Sequence, residues 1–174
     1  MHYGEIKTCD IANGPGVRVS LFVSGCRNGC KNCFNPMTWA FDYGNPYTEE
    51  VEERILSSLS SDYVEGLTIL GGEPFEKENQ ECVLGLVKKV KEKYPQKDIW
   101  IYSGFTLEEL TGFVPSRASG PLANEILQTI DVLVDGRFVE EEKDISLRFR
   151  GSRNQRIIDT KQTLKQKQVV LFMK

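Results

Sequence analysis

Residues 17–36 read VRVSLFVSGCRNGCKNCFNP, and most of what can be inferred about the fold starts from them. The first part, residues 17–23, is rich in β-branched side chains, which is typical of a buried strand. A glycine-containing loop follows at once and carries three cysteines within eight positions, Cys26, Cys30 and Cys33. In parallel α/β proteins the functional loops follow the strands in this way.

The rest of the chain alternates helical patterns with short apolar strands. Pro46 and Thr48 are expected to open a helix, because Val51, Ile55 and Leu59 follow at four-residue spacing. The repeated order of strand, loop and helix implies βαβ units, so we predict an α/β fold with a mostly parallel sheet. Further helices are predicted at residues 78–93, 107–110 and 122–129, further strands at 67–70, 99–102 and 130–134, and a hairpin or strand pair at 155–173.

Length and composition limit the class of protein. The 174 residues suffice for one domain with a real core, so residues 1–174 are predicted to form a single domain. A full eight-unit α/β barrel usually needs about 250 residues, which leaves a partial barrel or another α/β layout. A formal net charge of −3 gives no overall attraction to nucleic acid or to an anionic membrane. The only histidine, His2, nearly excludes a histidine-based catalytic dyad or a histidine-rich zinc site.

The sequence also predicts the compartment. No apolar run approaches the roughly 18–20 residues that span a bilayer, and the N-terminus lacks the pattern of a signal peptide. Five cysteines are an odd number, which fits poorly with a secreted disulfide framework. We therefore expect a cytoplasmic protein that does not bind membranes and whose crowded cysteines serve metal or redox chemistry.

Polar and glycine-rich motifs come directly after three of the predicted strands. They are Gly71-Gly72-Glu73, Ser103-Gly104 and Asp135-Gly136-Arg137. Because the carboxyl ends of parallel strands form one rim, we expect these motifs to converge with the cysteine loop. Glycines at such ends let the backbone approach a ligand closely, and Glu73 adds an acceptor for an ammonium group.

The spacing of Cys26, Cys30 and Cys33 favours one inorganic centre. A four-iron cluster is usually held by four cysteines, so three would leave one iron open to a substrate or cofactor. A structural zinc site takes four ligands, and Cys9, Cys82 or His2 would have to supply the missing one. A redox-active or unpaired thiol group is the remaining alternative.

The cysteine loop resembles the signature of the radical S-adenosylmethionine superfamily, C-x3-C-x2-C after the first strand. Within it, the chain is most similar to the glycyl-radical-enzyme activases that serve anaerobic ribonucleoside-triphosphate reductases. Asn32 departs from the aromatic residue that many superfamily members carry before the third cysteine, although the reductase activases often have a small or polar residue there. The resemblance covers nearly the whole chain and rests on residues 13–18, 25–36, 38–39, 71–74, 102–104, 131–138 and 151–156.

The resemblance implies a partial (β/α) barrel and the following roles at the site. Cys26, Cys30 and Cys33 would hold a [4Fe-4S] cluster. Gly71, Gly72 and Glu73 would bind the methionine amino group of S-adenosylmethionine, whose amine and carboxylate would chelate the open iron.

Other cofactor-binding candidates have weaker signals. The Ser103 hydroxyl is a candidate to bond a ribose or carboxylate, and the backbone of Asn32 and Phe34 to touch the adenine. Asp135 and Arg137 are expected to hold polar groups of the cofactor or to face the protein substrate, with an ordinary turn salt bridge as the alternative.

The resemblance also implies the reaction and the partners. An electron from reduced flavodoxin or a similar donor would cleave S-adenosylmethionine, and a 5′-deoxyadenosyl radical would take hydrogen from a glycine of the large catalytic subunit of the reductase. No side-chain general base is expected in this chemistry, and the partner protein is expected to close the open side of so small a scaffold. The alternatives are an activase of another glycyl radical enzyme, of the pyruvate formate-lyase type, and a zinc-stabilised interaction module.

Overall fold

The computed structural model describes residues 1–173, which form one eight-stranded sheet with helices between the strands. The strands are β1 (His2–Asp10), β2 (Val17–Val23), β3 (Asn45–Pro46), β4 (Val64–Gly71), β5 (Asp98–Tyr102), β6 (Val132–Asp135), β7 (Arg156–Asp159) and β8 (Leu171–Met173). The helices are α1 (Glu49–Ser58), α2 (Lys77–Lys93), α3 (Leu107–Thr111), α4 (Pro121–Thr129) and α5 (Thr160–Gln166), with short 3-10 helices at Pro36–Trp39 and Glu140–Glu142.

The sheet is parallel in its middle and antiparallel on both sides. Its strand order is β3-β1-β2-β4-β5-β6-β7-β8. The pairings of β2 with β4, β4 with β5 and β5 with β6 are parallel, whereas the two pairings beyond each end of this group are antiparallel. The predicted α/β class is therefore confirmed. The predicted mostly parallel sheet is correct only for the four central strands, and the partial barrel stays a prediction.

Most predicted elements form close to their expected positions. The strand predicted at residues 17–23 is β2, and Thr48 caps α1 by accepting a hydrogen bond from the Val51 amide. The tail does contain a strand pair, β7 and β8, but α5 lies between them, so a simple hairpin was wrong. Strand β1 was not predicted, because Tyr3 and Asp10 are its only fully buried side chains and its apolar pattern is weak.

One face of the central sheet carries the main core. Apolar side chains of β2, β4 and β5 alternate toward the layer of helices, and α2 presents its apolar stripe to them. Burial of this layer fixes the strand register, and with it the place where each strand ends. The largest contributors are Leu21, Leu67, Ile69, Leu86, Val87, Ile99 and Ile101.

The opposite face of the sheet is organised around Arg18, whose side chain is fully buried. Its guanidinium donates to Thr68 Oγ1 at 2.7 Å, to the Leu67 carbonyl at 3.0 Å and to Asp98 Oδ1 at 2.6 Å. The guanidinium carbon lies 5.5 Å from the ring centre of Trp100, which is close enough for a cation–π contact. Arg18 therefore ties β2, β4 and β5 together near their amino ends, opposite the cysteine loop.

We expect Arg18→Met to lower the free energy of unfolding by about 3 kcal/mol, because it leaves buried acceptors of β4 and the Asp98 carboxylate without a donor. Chemical denaturation measures the change. The matched control is Arg54→Met, an exposed arginine on α1, which we expect to stay within about 0.5 kcal/mol of the parent. Equal effects of the two substitutions would contradict the role given to Arg18.

Candidate cluster site

A cavity of about 450 Å³ opens to solvent at the carboxyl ends of the parallel strands. Its floor consists of one side chain from each of the four central strands, Phe22, Leu70, Tyr102 and Val134. Its upper wall contains the motifs that were predicted to converge, and the volume lies within the usual range of ligand sites. The residues of those motifs that line it are Cys26, Asn28, Cys30, Asn32, Cys33, Phe34, Gly71, Gly72, Glu73, Ser103, Gly104 and Gly136.

All three cysteines of the loop are free thiols in the wall of this one cavity. Burial raises the pKa of the Cys26 thiol to about 12, so its proton must leave when a metal binds. Burial also raises the pKa of Cys30, although the Phe138 amide and the Arg137 charge act in the opposite direction. The Cys30 thiol is therefore protonated at neutral pH, and its proton too must leave when a metal binds.

The donor set fits an iron–sulfur cluster better than a closed zinc site. Within residues 1–173, no fourth cysteine and no histidine lines the cavity, and Cys9 and Cys82 lie on β1 and α2. Three thiols around a shared space can hold a [4Fe-4S] cluster with one open iron, whereas structural zinc takes four ligands.

The backbone of the cysteine loop needs left-handed conformations. Gly25 has a φ of +96°, and a Cβ there would lie only 2.3 Å from the ring of Phe41. Asn32 also has a positive φ, of 54°, which asparagine tolerates better than most residues. This gives a physical reason for an asparagine, in place of an aromatic side chain, before Cys33.

Glu73 is fully buried and its carboxylate accepts four hydrogen bonds. The Phe75 amide and the Ser103 hydroxyl donate to Oε1 at 3.0 and 2.9 Å. The Gly104 amide and Asn28 Nδ2 donate to Oε2 at 2.7 and 3.1 Å. Burial raises the pKa of Glu73 to about 7, although the Phe75, Gly104 and Ser103 donors act to lower it.

These bonds affect what Glu73 and Ser103 can do for a ligand. Four donors use about all the lone pairs of a carboxylate, so an ammonium group would have to replace one of them. The bond from the Asn28 amide is the longest of the four, and it is the only one whose donor belongs to the cysteine loop. The Ser103 hydroxyl is likewise engaged, since it donates to Glu73 and accepts from the Phe105 amide. Their contacts with a cofactor stay predictions.

A second buried carboxylate, Glu76 at the start of α2, accepts hydrogen bonds from the cysteine loop. Arg27 donates to it through its backbone amide and its guanidinium at 2.8 and 2.9 Å. Arg117, from the loop before α4, donates to Glu76 through Nε and Nη2. The same Nη2 also reaches Asn28 Oδ1 at 3.0 Å, so one network connects Glu76, Arg117, Asn28 and Glu73.

Asp135 is the last residue of β6 and Arg137 lies just beyond it, but neither residue lines the cavity. Asp135 is buried and pairs with Arg156 at 2.5 Å, and it also accepts from the Leu107 amide. Arg137 pairs with Glu109 at 3.1 Å. These two residues therefore form ion pairs beside the site, and a direct contact with the cofactor stays a prediction.

The rim of the cavity carries exposed apolar side chains. Phe34 is fully exposed, and so is nearly all of Ile145 on the loop after the Glu140–Glu142 helix. The Phe34 ring therefore does not pack against the inside of the cysteine loop. Its predicted contact with an adenine is not tested by this arrangement.

One wall of the cavity comes from a segment that sequence reasoning left without a role. Residues 138–155 contribute Phe138, Arg150, Gly151 and Gln155 to the lining. The three arginines among the seven polar or glycine residues at 150–156 were the available signal. The spatial contact with the cysteine loop could not be read from it, because more than 100 positions separate the two segments.

The fold and the site define an α/β protein with an iron–sulfur loop at the carboxyl ends of its parallel strands. In agreement, a family model described as "4Fe-4S single cluster domain" matches residues 12–158. This match supports an iron–sulfur cluster as the group that the cysteines hold.

Individual relatives have a more specific name, anaerobic ribonucleoside-triphosphate reductase-activating protein. One from Vibrio cholerae is 42% identical over 157 residues, which covers 89% of this chain and 96% of the relative. One from Escherichia coli K12 is 38% identical, again over 89% of this chain and 96% of the relative. One from bacteriophage T4 is 38% identical over 90% of this chain and 93% of the relative. The chain therefore belongs to the family of anaerobic ribonucleoside-triphosphate reductase-activating proteins.

We expect Arg117→Met to speed the loss of iron from the reconstituted protein to a chelator by about tenfold, because Glu76 and Asn28 each lose a donor behind the cysteine loop. Absorbance of the cluster against time measures the rate. The control is Glu78→Gln, which removes only the exposed ion pair between Arg27 and Glu78 and should leave the rate unchanged. If both variants behave like the parent, the buried network does not hold the loop.

Proposed function

We propose that the protein activates an anaerobic ribonucleoside-triphosphate reductase by reductive cleavage of S-adenosylmethionine, as a radical S-adenosylmethionine enzyme. The observation that carries the proposal is the gathering of Cys26, Cys30 and Cys33 with Gly71 and Gly72 around one open cavity. Membership in the family of reductase-activating proteins supports the same function.

Cys26, Cys30 and Cys33 are the residues that would hold the cluster. When bound and reduced, a [4Fe-4S] cluster supplies the electron that cleaves S-adenosylmethionine and so provides the radical that takes hydrogen from a protein glycine. Arg137 and the Phe138 amide favour the Cys30 thiolate, and the network behind Arg27 keeps the Cys26 arm of the loop in place. The side chains of the site thus orient the cofactors and exclude water, and none of them is required as a general base.

The amino group of S-adenosylmethionine is assigned to the end of β4. Carbonyl groups of Gly71 and Gly72 and the Glu73 carboxylate are its acceptors, and the ammonium would take the place of the Asn28 amide on Glu73 Oε2. A positive charge there compensates a buried carboxylate better than an amide does. Asn32, Phe34 and Ser103 remain the candidates for the nucleoside part.

The protein partner in this proposal is the large catalytic subunit of the reductase, which presents the glycine. The cavity opens to solvent, and its rim exposes Phe34 and Ile145, so a partner surface can cover the mouth and exclude water during radical transfer. A reduced flavodoxin or a similar protein is the proposed electron donor. The proposed compartment is the reducing cytoplasm, in keeping with five free thiols. None of the helices formed by residues 1–173 has the length and apolar composition needed to cross a bilayer.

We expect Cys30→Ala to abolish 5′-deoxyadenosine formation, because two thiols cannot hold the cluster with its open iron in place. The protein is reconstituted under anoxia, reduced and mixed with S-adenosylmethionine, and the product is measured by chromatography. The control is Cys82→Ala, a cysteine on α2 outside the cavity, which should retain about four irons per chain and full cleavage.

Three results would contradict this function. One is a colourless parent protein with a single zinc, which would support the interaction module. Another is cleavage that persists in Cys30→Ala. The third is the absence of an electron spin resonance doublet on the added reductase together with its appearance on a pyruvate formate-lyase, which would move the protein to the other class of activase.

A further inference from the structure

The segment at residues 150–155 places a positive charge in the wall of the cluster cavity. Arg150 lines the same cavity as the three cysteines and is only partly exposed. The roles assigned so far to the cysteine loop and to residues 71–73 do not use this side chain.

Hydrogen bonds within the segment hold Arg150 in place. Its Nη1 donates to the Gln155 carbonyl at 2.9 Å. Gln155 Oε1 accepts from the amides of Gly151 and Ser152 at 2.8 and 3.1 Å, and Gln155 Nε2 donates to the Gly136 carbonyl at 3.0 Å. The guanidinium is therefore positioned relative to the end of β6 before any ligand arrives, which lowers the entropy cost of binding.

The charge of Arg150 has no carboxylate partner. Among residues 1–173, it is the only arginine that is not exposed and yet forms no ion pair. The acids that line the same cavity are already engaged, since Glu73 accepts four hydrogen bonds and Asp144 pairs with Arg153 at 3.0 Å. A half-buried guanidinium without an ion-pair partner is stabilised when an anion binds to it, and its planar fork matches the two oxygens of a carboxylate.

We propose that Arg150 binds the methionyl carboxylate of S-adenosylmethionine. The ligand is a zwitterion at this end, and the cavity offers acceptors for its ammonium at residues 71–73 and this guanidinium for its carboxylate. Lys143 also lines the cavity, but its side chain is exposed. Arg150 is the better candidate, because it is partly buried and a hydrogen bond to the Gln155 carbonyl positions its guanidinium. This inference rests on the proposed function, because it takes S-adenosylmethionine as the ligand.

The test compares two ligands that differ only in the carboxylate. Equilibrium binding of S-adenosylmethionine and of decarboxylated S-adenosylmethionine is measured on the reconstituted parent and on Arg150→Met. We expect the substitution to weaken binding of S-adenosylmethionine by about 10- to 100-fold and to leave binding of the decarboxylated ligand unchanged. Arg150→Lys should lose part of the affinity, because the charge remains and the fork does not.

The control is Arg148→Met, an exposed arginine two positions away, which should bind both ligands like the parent. Iron content and thermal unfolding show that each variant is folded and loaded. Three results overturn the assignment. The first is unchanged binding of S-adenosylmethionine by Arg150→Met, and the second is an equal loss of affinity for both ligands. The third is normal binding with a loss only of radical transfer to the reductase, which would mean that Arg150 contacts the protein partner. A loaded parent that fails to bind S-adenosylmethionine refutes the proposed function itself, whereas the three results above leave that function standing.

Discussion

Burial of one carboxylate, that of Glu73, holds the functional end of this protein together. A buried charge without partners would cost several kcal/mol, so the four donors around it are strongly constrained. They come from the turn after β4, from the end of β5 and from the cysteine loop. Because these segments are far apart in sequence, the carboxylate fixes their relative positions more firmly than the loops themselves could.

The same requirement explains two glycines next to the carboxylate. A Cβ at Gly72 would lie 2.7 Å from the Gly25 carbonyl, and a Cβ at Gly104 would lie 2.3 Å from Asn28 Nδ2. A side chain at position 72 would push the backbone of the cysteine loop away from the sheet, and one at position 104 would displace the Asn28 amide from Glu73. Their absence lets the loop sit directly on the strand ends, where Cys26, Cys30 and Cys33 share one cavity.

Much of this arrangement could be predicted from the sequence because it follows from strand direction. Parallel strands predicted at residues 17–23, 67–70, 99–102 and 130–134 had to end at one rim, and the motifs that follow them meet there. The contacts that depend on side-chain direction could not be predicted. Nothing in the sequence shows that Asp135 would turn to Arg156, or that Glu73 would use its oxygens on protein donors. The antiparallel flank formed by β1 and β3 was also missed, because β1 is polar and β3 has only two residues.

The two outermost strands of the sheet are short. On one side β3 has two residues, one of them Pro46, which cannot donate a backbone hydrogen bond, and on the other side β8 has three residues. These two strands themselves offer another polypeptide few unpaired amides and carbonyls. Strand β3 covers only His2 and Tyr3 of β1, however, so in the described part of the chain the outer edge of β1 has no strand partner from Glu5 to Asp10. The charges of Glu5 and Lys7 on this stretch disfavour its pairing with the edge of another sheet.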